Sequence, residues 1–257
     1  MTPPAGTPAG TAALPPAGTA ALPPTGTAAL PPAGTPARTP AGLVLLLAAA
    51  ALLLLTLGLV ALHDLGRTYV LAAFTTDLEY RTPAQLANIR LAAARADRTR
   101  LAPQAVFSFN TVVGERLVEN GYDRAPTYED GDVVDTPGGG ICQLTSTIYN
   151  AALLSGLRIV ERAAHSSRVL SVGPGRDATV FYGHTDLRFA NPYDFPLELR
   201  TRCHGKRLVA EIVGPRPLPE PVRIRVESVP SIHGIRVRTW RRIGNVERII
   251  SEDTYSH

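Results

Sequence analysis

A run of three glycines leads directly into a cysteine, in the stretch Pro-Gly-Gly-Gly-Ile-Cys-Gln-Leu at residues 137–144. The residues after Cys142 are typical of a helix of about three turns, and Gly156 is placed to end it. A thiol at a helix N-terminus lies at the positive end of the helix dipole, beside backbone N–H groups without partners inside the helix. Both effects stabilise a thiolate, so the pattern indicates a cysteine nucleophile at Cys142.

Two residues farther along the chain would complete a nucleophilic triad. Cys142 would attack a carbonyl carbon as the thiolate, His165 would act as general base and then as general acid, and Asp177 would orient the imidazole ring. The order Cys, His, Asp, with the cysteine on a helix and its partners on later strands, is analogous to the layout of papain and transglutaminase. The expected chemistry is acyl transfer.

Other polar and glycine residues near these positions are candidates for substrate binding. The N–H groups of Gly140 and Ile141 or the amide of Gln143 would donate to an oxyanion. The glycines would allow a ligand backbone to approach closely, and Arg176 or Arg188 would hold a carboxylate. The predicted substrate-binding residues are Gly139, Gly140, Gln143, Arg176 and Asp186.

Each of these residues also has a simpler interpretation. Cys142 would serve as a small buried hydrophobe, or would form a disulfide with Cys203. His184, close to Asp186, is a rival base, and Asp177 would pair with the neighbouring arginine or cap a turn. We expect no metal site, because neither CxxC nor HExxH spacing occurs, and we expect no cofactor.

The soluble part of the sequence predicts an α+β fold, in which a central helix with Cys142 at its N-terminus packs on an antiparallel β-sheet. The box Thr-Pro-Ala-Gln at 82–85 predicts a helix over 82–97. Alternating residues predict strands, and Gly244 predicts a hairpin turn within 242–247. The predicted strands are 106–110, 158–163, 177–183, 186–190, 195–204, 207–213, 222–229 and 235–240.

The N-terminal part of the chain has a different composition. Residues 1–42 repeat an eight-residue unit of Pro, Ala, Gly, Thr and Leu, which predicts a disordered tail. Residues 43–62 carry no charge and have the length of a transmembrane helix. A cleaved signal peptide is the alternative, but its apolar core would be shorter and nearer the start. The predicted organisation is therefore 1–42 tail, 43–62 anchor, 72–214 main domain and 215–257 C-terminal β extension.

Eight short motifs follow one another between residues 74 and 214: FSFN at 107–110, GY at 121–122, GGGICQ at 138–143, YNAA at 149–152, ER at 161–162, HS at 165–166, GRDATV at 175–180 and DLRF at 186–189. Together they resemble the VanW family, named after an accessory protein of vancomycin-resistance gene clusters. The chain departs from the family pattern after His165, where Ser167-Arg168 and Ser171 replace a usual proline and tyrosine. The Cys, His and Asp positions are intact.

The resemblance implies a cell-envelope protein with a single membrane anchor, and it implies no particular reaction. One hypothesis is a cysteine-dependent acyl transferase or amidohydrolase acting on peptidoglycan-type peptides. The other is a non-catalytic module that binds peptidoglycan or a partner protein. The expected partners are the lipid bilayer, through residues 43–62, and an envelope peptide or protein, but not nucleic acid, because the net charge of +4 is not gathered into a patch. We expect the soluble domain outside the cytoplasm, although by the positive-inside rule Arg67 and Arg81 after the anchor slightly favour the opposite orientation.

Overall fold

The computed structural model of the 257-residue chain describes residues 41–64, 67–129 and 132–256. Residues 1–40 of the predicted tail lie outside the described residues. The first helix, α1, spans Ala41–Asp64, and its segment Ala41–Leu59 is long and apolar enough to cross a membrane. Its described side chains are exposed, as those of a helix that meets lipid would be.

The rest of the described chain is an α+β fold with antiparallel sheets, which confirms the predicted class. The helices are α2 (Pro83–Ala96), α3 (Phe109–Val113) and α4 (Ile141–Leu154), with a 3-10 turn at Val118–Asn120. The strands are β1 (Tyr69–Asp77), β2 (Thr99–Leu101), β3 (Val106–Ser108), β4 (Arg124–Glu129), β5 (Asp132–Pro137), β6 (Arg158–Glu161), β7 (Arg188–Ala190), β8 (Leu197–His204), β9 (Arg207–Gly214), β10 (Val222–Ser231), β11 (Gly234–Ile243) and β12 (Val246–Tyr255).

The main sheet has the strand order β1-β9-β8-β2, and α4 packs against β1 and β9 while α2 packs against β8. Alternating apolar residues of β8 and β9 turn one face of this sheet toward the helices and build the core with them. The core residues from these two strands are Leu197, Leu199, Leu208, Ala210 and Ile212. Three smaller sheets surround this layer, with strand orders β3-β7-β6, β4-β5 and β10-β11-β12.

Helix α2 begins as the sequence predicts. Thr82 is the N-cap, its hydroxyl accepts a hydrogen bond from the backbone N–H of Gln85, and the Gln85 side chain accepts one from the N–H of Thr82. This reciprocal capping box satisfies two N–H groups that the helix leaves without partners. The predicted hairpin of the C-terminal extension is also confirmed, with Gly244 at φ 55° between β11 and β12.

One predicted strand is wrong, and another ends earlier than predicted. Residues 177–183 form no strand, only isolated bridges from Thr179 to Ala163 and from Phe181 to Thr185. Other backbone groups of this segment bond to side chains: the N–H of Ala178 to the Ser146 hydroxyl, and the carbonyl of Asp177 to Arg162. The strand predicted over 106–110 stops at Ser108, whose hydroxyl caps α3, so Phe109 enters a helix. Its ring is nevertheless fully buried.

Candidate active site

The glycine turn before α4 fixes the position of Cys142, the second residue of that helix. A Cβ atom added to Gly139 would lie 2.3 Å from the carbonyl oxygen of Ala125 on β4, so only glycine fits there. Gly140 is the N-cap with φ 95°, in the left-handed region that glycine adopts without strain, and it packs on Gln85 of α2. The tight turn therefore packs the start of α4 against α2 and β4, and this fixes where the helix that carries Cys142 begins.

His165 and Asp177 are joined directly. The Nδ1 atom of the His165 ring lies 2.7 Å from Oδ2 of Asp177, and the backbone N–H of His165 donates to the same oxygen at 2.8 Å. The Asp177 side chain is fully buried, whereas 23% of the His165 side chain is exposed to solvent. Because Asp177 occupies Nδ1, the other ring nitrogen of His165 is the one available to Cys142.

Cys142 and His165 change each other's protonation. Burial raises the pKa of the Cys142 thiol, but a hydrogen bond and the charge of His165 outweigh it and lower that pKa to about 7. Burial lowers the pKa of His165, but its hydrogen bonds to Asp177 and Cys142 raise it to about 9. Between these values the pair is a thiolate and an imidazolium, the reactive state of a cysteine nucleophile.

Thr179 adds a further contact to the sulfur. Its hydroxyl oxygen lies 3.5 Å from Sγ of Cys142, and Thr179 itself is paired with Ala163 through an isolated bridge. That bridge joins the segment before His165 to the segment after Asp177 and so holds these two residues together, while the Thr179 hydroxyl links the pair of segments to Cys142 on α4. Thr179 belongs to the GRDATV motif at 175–180, but its alternation with neighbouring residues predicts an ordinary strand residue.

The Asp177 carboxylate has partners besides His165. Its Oδ1 atom accepts hydrogen bonds from the hydroxyl of Tyr255 at 2.5 Å and from Nη2 of Arg162 at 3.1 Å. Burial raises the pKa of Asp177, but the hydrogen bonds from His165 and Tyr255 and the charge of Arg162 lower it below its usual range. The carboxylate is therefore ionised when it orients the imidazole ring.

Three of the predicted substrate-binding side chains are engaged inside the protein. The amide nitrogen of Gln143 donates to the Thr76 hydroxyl at 3.0 Å and to the carbonyl of Asp77 at 2.7 Å, and its oxygen accepts from Arg81. Both of its N–H bonds are thus used to tie α4 to β1. In the structure Gln143, which the sequence suggested as an oxyanion donor, holds α4 against β1.

Asp186 and Arg176 also have structural partners. The Asp186 carboxylate accepts from the Ser108 hydroxyl at 2.5 Å and from the N–H of Asn110 at 2.9 Å, so it holds the start of α3 rather than orienting His184. Arg176 donates to the side-chain oxygen of Asn150 on α4. Neither interaction includes a triad residue.

Both cysteines are free thiols in the structure. Cys203 lies on β8 opposite Leu208, packs against the core, and burial raises the pKa of its thiol. The two thiols therefore differ in chemistry: the environment of Cys142 favours the thiolate, and that of Cys203 favours the neutral thiol.

A hollow of about 420 Å³ is lined by residues of α4, β6, β11 and β12. Arg162 borders this hollow, but Cys142 does not. We place the candidate site at Cys142 rather than at the hollow, because an acyl-transfer site is defined by the position of its nucleophile and base.

A family model described as "VanW like protein" matches residues 84–213. The chain is 39% identical over 142 residues to the uncharacterized protein YoaR of Bacillus subtilis (strain 168), an overlap of 55% of this chain and 47% of that protein. It is 25% identical over 133 residues to the vancomycin B-type resistance protein VanW of Enterococcus faecalis (strain ATCC 700802 / V583), or 49% of this chain and 47% of that protein.

The chain thus spans about half the length of the curated relatives it matches. No solved structure has significant similarity to it.

Proposed function

The chain belongs to the VanW-like family, whose model covers residues 84–213, and we propose that it is a membrane-anchored cell-envelope protein. From the geometry of the site we propose that it acts as a cysteine-dependent acyl transferase or amidohydrolase on peptidoglycan-type peptides. The observation that carries the proposal is the Asp177–His165 pair beside Cys142. The site has the minimal set of groups for acyl transfer. These are a thiol of lowered pKa, a base that can exchange a proton with it, and a buried carboxylate on the far side of that base.

In the first half of the reaction the Cys142 thiolate attacks the carbonyl carbon of an amide bond. The negative charge moves to the carbonyl oxygen, where the backbone N–H groups of Gly140 and Cys142 would receive it, because those of Ile141 and Gln143 already donate to the carbonyls of Gly138 and Gly140. The C–N bond then breaks, and the His165 imidazolium gives its proton to the leaving amine. The products are a free amine and a thioester on Cys142.

In the second half an acceptor attacks the thioester. His165, now neutral, takes a proton from an acceptor amine or from water, the new C–N or C–O bond forms, and the C–S bond breaks. Cys142 leaves as the thiolate and His165 is again the imidazolium. An amine acceptor gives a transferase, and water gives an amidohydrolase.

The envelope setting is supported by two independent observations. The apolar segment Ala41–Leu59 has the length and composition of a membrane span, which fits a single-pass protein anchored through residues 43–62. One relative is named a vancomycin B-type resistance protein. We therefore propose that the domain after the anchor lies outside the cytoplasm, where peptidoglycan peptides are its substrates.

The test is to trap the thioester. Full-length protein in membranes is mixed with peptidoglycan-derived peptides, quenched in acid, digested and analysed by mass spectrometry. We expect a peptide acyl group on Cys142, release of an amine, and loss of both in Cys142→Ala. The Cys203→Ser variant, which removes the other thiol, retains both. Amine release by Cys142→Ala would exclude nucleophilic catalysis, and peptide binding by that variant without turnover in the wild type would indicate a binding module.

A further inference from the structure

The C-terminal strand β12 reaches the buried side of the Asp177 carboxylate. The hydroxyl of Tyr255 donates to Oδ1 of Asp177 at 2.5 Å and accepts from the backbone N–H of Gly175 at 2.7 Å. Tyr255 is fully buried. Its hydroxyl therefore holds both the Asp177 carboxylate and the backbone of Gly175, two residues earlier in the chain.

A second residue of β12 acts through Arg162. The Asp253 carboxylate accepts from Nη1 of Arg162 at 2.6 Å, while Nη2 of the same guanidinium donates to Asp177 at 3.1 Å. The Arg162 side chain is only 3% exposed. A buried guanidinium needs a compensating charge, and the two carboxylates share that role. Asp253 thereby keeps Arg162 in the position from which it contacts Asp177.

The same sheet also binds the two loops that carry the base and its carboxylate. The N–H of Ser256 donates to the carbonyl of Ser166 at 2.8 Å, next to His165. The Thr239 hydroxyl on β11 donates to the carbonyl of Gly175 at 3.1 Å. A Cβ atom at Gly175 would lie 2.4 Å from that hydroxyl, so glycine permits this close approach.

We propose that the sheet β10-β11-β12 is part of the catalytic site, and that Tyr255 is a positioning residue which fixes the Asp177 carboxylate so that the His165 ring faces Cys142. The inference rests on the proposed function, because it assigns a role in the same triad. Tyr255, Asp253 and Thr239 all lie beyond residues 84–213, which match the family model. The matched segment contains Arg162, but not the Tyr255 hydroxyl that bonds to Oδ1 of Asp177 nor the Asp253 carboxylate that holds Arg162.

The experiment measures thiol chemistry, which requires no substrate. Full-length wild type and Tyr255→Phe in detergent are alkylated with iodoacetamide between pH 5 and 10, and the Cys142 and Cys203 peptides are quantified separately by mass spectrometry. Without the hydroxyl the carboxylate can rotate, the ring faces the sulfur less often, and the thiolate loses part of its stabilisation. We expect alkylation of Cys142 at pH 7 to slow about fivefold, as for the loss of one hydrogen bond, and its apparent pKa to rise.

The matched control is Tyr193→Phe. Its hydroxyl donates to the carbonyl of Ser155 at 2.8 Å, so this variant also removes a hydrogen-bonded tyrosine hydroxyl, at a partly buried position away from Asp177. We expect the pH profile of Cys142 alkylation in Tyr193→Phe to match that of the wild type. If Tyr255→Phe and Tyr193→Phe give the same profile, the positioning role is excluded while the proposed function stands. If wild-type Cys142 titrates like an ordinary thiol, the proposed function fails as well.

A second variant covers the case in which Tyr255→Phe does not fold. Asp253→Asn keeps an oxygen acceptor for Arg162 but removes the charge that offsets the guanidinium. The unbalanced positive charge near Asp177 then disfavours the imidazolium, so the pKa of His165, followed by NMR of its ring protons, falls below that of the wild type. An unchanged His165 titration in this variant would overturn the role of the sheet.

Discussion

Nδ1 of His165 lies 2.7 Å from Oδ2 of Asp177, and the backbone N–H of His165 donates to the same carboxylate oxygen at 2.8 Å. One oxygen therefore fixes both the ring and the peptide of the histidine. With its proton on Nδ1 held by Asp177, the neutral ring presents an acceptor to Cys142, and the protonated ring presents a donor. The activity of the site is expected to depend on this contact between His165 and Asp177 and on the turn that positions Cys142.

Asp177→Asn is expected to reduce acyl transfer by roughly two to four orders of magnitude, because an amide neither stabilises the imidazolium nor selects the tautomer as a carboxylate does. The pKa of His165 falls and that of Cys142 rises. Both pKa values can be read from alkylation and NMR titrations of the full-length protein. The control is Asp194→Asn, since Asp194 is exposed and pairs with Arg216. Equal rates for the two variants would contradict the triad.

The rate of acyl transfer is expected to be bell-shaped in pH. It rises as the Cys142 thiol loses its proton near pH 7, and it falls as the His165 imidazolium loses its proton near pH 9, because the leaving amine then receives no proton. Initial rates measured at constant ionic strength give both limits. A rate that keeps rising above pH 10 would show that His165 is not the acid.

Gly139→Ala is expected to destabilise the fold by about 1–3 kcal/mol, because the added Cβ would overlap the carbonyl of Ala125. Thermal unfolding of the full-length protein measures the effect. Gly173→Ala is the matched control, since a Cβ atom at Gly173 would meet no atom within 4 Å. Equal melting temperatures for the two variants would show that the turn accommodates the added Cβ atom without loss of stability.

Gln143→Met is expected to lower stability by about 1–3 kcal/mol, because it leaves the polar partners of the amide unsatisfied between α4 and β1. The apparent pKa of the Cys142 thiol should change little, since the Gln143 side chain points away from the sulfur toward β1. Unfolding and alkylation measured on the same samples separate the two effects. Gln104→Met, at an exposed position, serves as control. A large loss of turnover without loss of stability would restore Gln143 as an oxyanion donor.

Local sequence determines some elements of this fold and not others. The capping box at Thr82 and Gln85, and the glycine turn before Cys142, are set by neighbouring residues, so their patterns predict them. The segment 177–183 has the alternation of a strand, but its backbone bonds to Ser146 and Arg162, which lie elsewhere in the chain. Periodicity contains no information about such partners.

The residues of the site also divide into those that the local sequence predicts and those that depend on distant parts of the chain. Cys142, His165 and Asp177 are recognisable from their residue types and order, and the structure brings Asp177 and His165 into contact. Tyr255 and Asp253 reach the site only because β12 folds back over Gly175 and Arg162, which are 80 and 91 residues away in sequence. The Arg162 position lies in a motif of the family resemblance, but its role depends on these distant carboxylates.

The backbone N–H of His165 donates to a carboxylate that is completely buried. The hydrogen on that nitrogen can exchange with deuterium from the solvent only when the bond to Asp177 opens. The exchange rate of this single amide therefore measures how often the triad comes apart in the resting protein, without substrate or probe. It would slow when a bound ligand closes the site, and it would quicken wherever the sheet behind Asp177 is loosened.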